Sequence, residues 1–456
     1  MTAHVNHVQM LASAGSGKTY QLSNRYLGLI HGGADPGSLL ASTFTRLAAG
    51  EIRDRILERA ARAVLDPAER AALGTALSAT SFDQNAAVAL LNRLLDALPS
   101  MQIRTLDGFF TTLVRTHALD LDLPPVLDFL DDVATEELRH ESIRMLLDET
   151  DSQRMISLLR ALTQGQTTRS VTQTIDSTIS DLKSLYADSS PDAWRVPPPA
   201  QPGLDARMVP IAVAKLAGLQ ADDVGRVEPH VQSAIDLIQS GDWEGFAKSR
   251  LVEIFITGTF GRQPLSAALI DAVTPLVHHA MVVVRARWND EGEAAYGILA
   301  EYVARERELK QRRAALTFDD LPVMTATLMN TYGVRPVLRR AGMDINHVLL
   351  DEFQDTSIEQ WRAIRPLLQQ MIEPTDDPAA PRSLFCVGDV KQSIYAWREG
   401  CPDLLEQLDT LLDVPPGVTI DKLPLARSYR SSPVIMDFVN TVFSTIGENA
   451  ALREHP

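Results

Sequence analysis

The sequence predicts an α/β fold, a parallel sheet flanked by helices and interrupted by a large helical insertion. Three observations carry that prediction. A small-residue loop, Ala12-Ser13-Ala14-Gly15-Ser16-Gly17-Lys18-Thr19, follows a short apolar run near the N-terminus. A second apolar run, Val348-Leu349-Leu350, delivers two carboxylates, Asp351 and Glu352, more than 300 residues later. Between them, from about 121 to 312, the spacing of apolar residues is helical and no catalytic pattern appears.

The elements follow in chain order. Met10 and Leu11 can end a strand. Gly15 and Gly17 then let the backbone turn so that successive N–H groups face inward and cradle phosphate oxygens. A helix can start at Lys18 and Thr19 and run through Leu27, its positive end aimed at the anion. Lys18 reaches the β- and γ-phosphates of a nucleoside triphosphate, and the Thr19 hydroxyl ligates Mg²⁺. Ala12 stands where the pattern usually has glycine, a mild departure. Alone, the loop could be a plain glycine-rich turn, so it needs a partner.

A strand is expected near Leu39–Phe44, with further helices up to about residue 120. In the insertion, Leu138, Ile143, Leu146 and Leu147 keep helical spacing, as do Leu299, Tyr302 and Val303. Asp188 to Pro210 is rich in Pro, Ser and Ala and reads as a loop or hinge. The core resumes near Leu316. Val348–Leu350, without alternation, reads as a buried parallel strand, and its C-terminal end is where an open α/β sheet binds ligands. Asp351 there would hold Mg²⁺ through water. Glu352 would orient and deprotonate the attacking water. A helix carrying Ile358, Trp361, Ile364 and Leu367 follows, then a Pro/Asp-rich loop from Glu373 to Arg382, then a strand at Leu384–Val387.

Composition bounds the rest. The chain has 456 residues, enough for two or three domains with cores of their own. No uninterrupted run of eighteen apolar residues exists, so no membrane span is expected. The first residues lack a basic region before an apolar core, which argues against a signal peptide. Cys386 and Cys401 are the only cysteines, too few for a disulfide framework or a four-cysteine iron–sulfur site, and a reducing cytoplasm is the simplest expectation. The net charge of −16 opposes nucleic-acid binding at first sight. The acid is uneven, however: Asp120 to Asp151 holds eleven acids against Arg139 and Arg144. Arg46, Arg53, Arg55, Arg59 and Arg62 cluster after the second expected strand, where part of the cluster can line a groove and part must be a solvated helix face.

Taken together, these motifs resemble the N-terminal part of a UvrD/RecB/AddA-type superfamily 1 DNA helicase, in family order over nearly the whole chain. Ala12–Thr19 resembles motif I. Thr43-Phe44-Thr45-Arg46-Leu47-Ala48-Ala49-Gly50-Glu51-Ile52 resembles motif Ia, and Thr105-Leu106-Asp107-Gly108-Phe109-Phe110 resembles motif Ib. Leu316–Leu321 resembles a patch ahead of motif II. Asp351-Glu352-Phe353-Gln354-Asp355-Thr356 is similar to motif II, and Val387–Arg398, long enough to be highly specific, to motif III. Ser428-Tyr429-Arg430-Ser431-Ser432 resembles motif IV. Two departures touch positions that face DNA in the family: Arg46-Leu47 replaces the usual Asn-Lys, and Asp107 replaces the usual His.

The resemblance implies a RecA-like P-loop NTPase sheet, discontinuous over 1–120 and 313–415, a helical insertion domain at 121–312, and the start of an incomplete second RecA-like domain at 416–456. It implies ATP and Mg²⁺ as cofactors. It makes Gln392 the γ-phosphate sensor, Arg430 the clamp on transition-state charge, and Tyr429 the residue that packs on adenine. Phe44, Asp107, Tyr395, Trp397 and Arg398 become DNA contacts, with aromatic faces suited to stacking bases of any sequence. Phe109 is a weaker candidate, since beside Phe110 a core position explains it at least as well; Trp397 too has a core reading. The resemblance further implies an ATP hydrolase and 3′-to-5′ DNA helicase in double-strand-break repair. Its partners would be single-stranded and duplex-end DNA and a second polypeptide of a helicase–nuclease, a partner subunit. Motifs V and VI are expected in a second lobe and are not found here, so a non-motor module that binds ATP, DNA or a partner subunit without unwinding stands as the alternative. Motif III argues against a small-molecule kinase.

Overall fold

The computed structural model describes residues 6–163, 171–187, 189–261, 263–375, 381–393, 400–425 and 427–444. The chain divides into two compact units, Met1–Asp131 with Ala314–Pro456, and Asp132–Arg313.

The first unit is built on six strands: β1 (His7–Ala12), β2 (Leu39–Thr43), β3 (Gln102–Thr105), β4 (His347–Leu350), β5 (Ser383–Gly388) and β6 (Ile420–Leu425). Their spatial order is β6-β1-β5-β4-β2-β3, and every pairing is parallel. Parallel strands need crossovers, so both faces carry helices and the strands read as continuous apolar runs. Accordingly, every residue of β2, β4 and β5 is buried. One face packs Leu22, Tyr26, Leu27 and Ile30 of α1 (Lys18–His31) and Ile52, Ile56, Ala60 and Ala63 of α2 (Arg46–Leu65) against Val8, Met10, Ala41 and Leu349. The other packs α3 (Leu106–Thr116), α4 (Asp320–Tyr332) and α5 (Ile358–Ile372) through Phe110, Leu113, Leu328, Ile364 and Leu367. Caps place the helix starts. Thr45 and Thr105 accept from Ala48 N–H and Gly108 N–H, and Ser357 with Gln360 forms a reciprocal capping box.

The boundaries differ from those expected at 121 and 416. Asp128–Phe129 pairs in parallel with Ala315–Leu316, and Arg115 lies over the Phe129 ring at 4.7 Å. These contacts keep the chain in the first unit until Asp131. The described residues among 416–456, expected to open a second domain, also group with the first unit. The reason is β6, which pairs with β1 from Ile420↔His7 to Leu425↔Ala12. Beyond it, helix α6 (Pro433–Phe443) buries none of its residues.

Among the described residues the second unit is helical, as expected, apart from the antiparallel pairing of Thr259–Phe260 with Gln263–Pro264. Its spine is the 47-residue helix Ala267–Arg313. The first half of that helix packs Leu269, Val273 and Leu276 with Leu216, Ile235 and Phe246. The second half packs Ile298, Leu299 and Tyr302 with Ile143, Leu146, Ile175 and Ile179. By length and composition this helix could cross a membrane, because an averaged window tolerates Asp271, His278 and His279 where an uninterrupted run does not. Its apolar residues Leu269, Ala272, Val273, Leu276 and Ala280 are nonetheless in the core of the unit.

Candidate nucleotide site

β1 ends at Ala12, which is buried and paired with Leu425, so alanine at this position is simply the last residue of a strand. The chain then turns through Gly15 at φ 72° and Gly17 at φ 89°, conformations that L side chains rarely adopt. A Cβ on Gly15 would also come within 2.6 Å of Arg430 Cβ. Ser16 N–H donates to Ser13 O at 3.1 Å, while Ser16 Oγ, in a residue only 2% exposed, has no partner among the described residues. Lys18, also buried, is the first residue of the 14-residue α1, whose first turn holds no acid and no side-chain cap. The positive end of that helix is therefore left for an anion. Thr19, half-buried, follows on the same turn.

β4 brings the acids to the same edge of the sheet. Asp351 N–H donates to Ser42 O at 2.8 Å, and Glu352, at φ 51°, turns back so that its N–H donates to Asp351 Oδ1 at 3.1 Å. Lys18 Nζ meets Glu352 Oε2 at 2.5 Å. Thus two motifs separated by 334 positions in the chain share one ion pair. Burial first, and then the neighbouring Glu352 charge, push the Asp351 carboxyl up to about 7. The same two causes raise Asp355 to about 6, and Asp355 Oδ1 has no partner among the described residues. Burial and mutual repulsion thus oppose ionisation of both carboxyls.

These shifts set a pH dependence. A carboxyl whose folded pKa is raised binds more protons in the folded chain than in the unfolded one. The sign of linkage is then that stability falls as pH rises from the ordinary carboxylate range to about 7. Asp351→Asn is therefore expected to raise the Tm of the nucleotide-free protein, and to raise it more at pH 8 than at pH 5. Thermal unfolding at the two pH values checks this, and a gain independent of pH would contradict the raised carboxyl.

β5 supplies the third side. Asp389 N–H donates to Gln354 Oε1 at 3.0 Å, and Gln392 Nε2 donates to Asp389 Oδ2. Gln354 Nε2 in turn donates to Glu352 Oε2 at 2.8 Å and, more loosely, to Asp355 Oδ2 at 3.3 Å. Sequence reading noted Gln354 as a neighbour of the acids and missed its place between them; the one signal was an amide set among three carboxylates. Tyr429 N–H donates to Gly15 O at 2.8 Å, so the segment with Tyr429 and Arg430 lies on the loop. The Tyr429 ring is 71% exposed, with the Arg427 guanidinium 5.1 Å from its centre, and Arg430 is exposed.

Of the expected DNA contacts, Phe44 and Asp107 line one cleft with Thr43, Asp351, Asp355 and Gln360. Asp107 Oδ1 accepts from Gln360 Nε2 at 2.8 Å. Phe109 is fully buried in the core. On α2, Arg62 pairs with Glu58 at 2.6 Å and Arg53 with Asp54 at 3.4 Å, while Arg59 lies over the Tyr20 ring at 4.2 Å. Tyr395, Trp397 and Arg398 lie outside the described residues.

Residues 1–413, which include the loop, the acids and the β5 turn, match the family model of the UvrD/REP helicase N-terminal domain. The chain belongs to that family. Among curated relatives of this helicase domain, an ATP-dependent helicase/nuclease subunit of Levilactobacillus brevis is 26% identical over 497 residues, covering 97% of the chain and 37% of the relative. The protein of the same name from Geobacillus thermodenitrificans is 26% identical over 509 residues, covering 96% and 38%. That from Latilactobacillus sakei is 25% identical over 520 residues, covering 99% and 56%. The chain therefore spans less than two thirds of the length of each of these helicase/nuclease relatives.

Proposed function

We propose that this chain is the ATP-binding portion of an ATP-dependent DNA helicase or translocase, of 3′-to-5′ polarity, working in double-strand-break repair. The observation that carries the proposal is the 2.5 Å contact between Lys18 and Glu352 at the C-terminal edge of a parallel sheet. A glycine loop opening a helix supplies donors and a positive end for the β- and γ-phosphates. Lys18 adds a point charge, and the planar fork of Arg430 suits phosphate oxygens. Tyr429 is exposed and available to stack on adenine.

The donor set also fits a magnesium ion. Thr19 offers a hydroxyl and Asp351 a buried carboxylate, hard oxygens of the kind Mg²⁺ takes. When bound, the ion would neutralise charge on the β- and γ-phosphate oxygens. Glu352 would accept the proton of the attacking water as its oxygen bonds to the γ-phosphorus and the bond to the bridging oxygen breaks, leaving ADP and phosphate. Gln392 would report on the γ-phosphate. Lys18 pairs with Glu352, so arriving phosphates would draw the ammonium away and free the base as the substrate seats.

Phe44 and Asp107 lie in the cleft behind the acids, which supports DNA contact coupled to hydrolysis. With Tyr395, Trp397 and Arg398 they are proposed to hold single-stranded and duplex-end DNA. The relatives are named as one subunit of a helicase/nuclease, which supports a partner polypeptide, and a cytoplasmic location would suit a protein that acts on DNA. The test is ATP hydrolysis by the purified chain with and without single-stranded DNA. Magnesium-dependent hydrolysis that DNA accelerates is expected. No nucleotide binding would remove the reading altogether.

A further inference from the structure

Two groups read as working parts, Glu352 and Gln392, belong to different strand ends. One side chain spans them. Gln354 is 1% exposed and makes three hydrogen bonds with its amide. Its Oε1 accepts from Asp389 N–H, and its Nε2 donates to both Glu352 and Asp355. The partners dictate the amide orientation. A backbone N–H requires an oxygen, and two carboxylates require a donor. Asp389 in turn accepts from Gln392 Nε2. The close approach needs a glycine at 388: a Cβ there would collide with Gln354 Oε1 and come within 2.7 Å of Leu405 Cδ2.

We propose that Gln354 is a positioning residue that locks the Glu352 carboxylate to the Asp389–Gln392 turn, so that γ-phosphate sensing and water activation move as one unit. This rests on the reading of Glu352 as base and Gln392 as sensor. Among substitutions, glutamate could still accept from Asp389 N–H but would repel Glu352 and Asp355. Methionine, of similar length, could serve neither end.

The test is equilibrium binding of fluorescent mant-ADP and of non-hydrolysable mant-AMPPNP, each with Mg²⁺, to the full chain. The wild type is expected to prefer the triphosphate, and Gln392→Ala to lose that preference. Gln354→Met is expected to lose it too, by about ten-fold, with mant-ADP affinity little changed. The Gln354→Met/Gln392→Ala pair should lose no more than Gln392→Ala alone, since both act on one element. Gln354→Glu should be at least as impaired as Gln354→Met. A Gln354→Met variant that keeps the wild-type preference, or weakens both nucleotides equally, overturns the positioning role while leaving the sensor reading intact. Gln392→Ala with an unaltered preference overturns the sensor reading, and the proposal with it. Should Gln354→Met fail to fold, Gly388→Ala displaces the same amide, and the same loss of preference is expected of it.

Discussion

Lys18→Ala is expected to lower nucleotide affinity by roughly 100-fold, because a charge-assisted contact to phosphate of the kind proposed for Lys18 is worth about 1.5–3 kcal/mol. The structure adds a second consequence. Lys18 is the ion-pair partner of Glu352 and also one of the charges that holds the Asp351 pKa down. Removing it leaves adjacent carboxylates without their cation in a buried pocket, so the nucleotide-free variant is expected to melt at a lower temperature as well. Fluorescent-nucleotide titration and thermal unfolding check the two effects separately. Undiminished affinity would show that the loop does not bind phosphate.

Glu352→Gln is expected to act in the opposite sense on binding. Hydrolysis should fall by about 10²- to 10⁴-fold, the usual contribution of a positioned general base. Affinity for ATP should rise several-fold, because Lys18 no longer has a carboxylate to leave. The neutral amide also removes the charge that, after burial, does most to raise Asp351 and Asp355. The variant should therefore trap ATP without turning it over. Hydrolysis at the parent rate would move the base to another residue, and unchanged affinity would mean that the Lys18–Glu352 pair does not compete with phosphate.

Much of the fold was legible because its signals are local. The helix expected at Lys18 begins there, since two glycines turn the chain just before it. The strands expected at Val348–Leu350 and Leu384–Val387 appear as His347–Leu350 and Ser383–Gly388, within a residue or two of their apolar runs. Ile358, Trp361, Ile364 and Leu367 all lie on α5 as their spacing requires. The helical insertion was evident too, although its border moved to Asp132 through the two-residue pairing of Asp128–Phe129 with Ala315–Leu316. So short a pairing has no period to read.

What the chain's own order determined, then, is which residue types end each strand and open each helix: the glycines, Lys18 and Thr19, the two acids, and the turn after β5. Backbone periodicity and loop chemistry act over a few residues, so they survive in the sequence without any knowledge of neighbours. Tertiary structure alone decided who meets whom. It set β6 beside β1 and laid Tyr429 and Arg430 on the glycine loop. It sent Phe109 to the core, tied Asp107 to Gln360, and suspended Gln354 between Glu352 and Asp389. Those contacts follow from strand order in the sheet and from hydrogen-bond demands inside a buried cluster, and neither is a property of any stretch of sequence by itself.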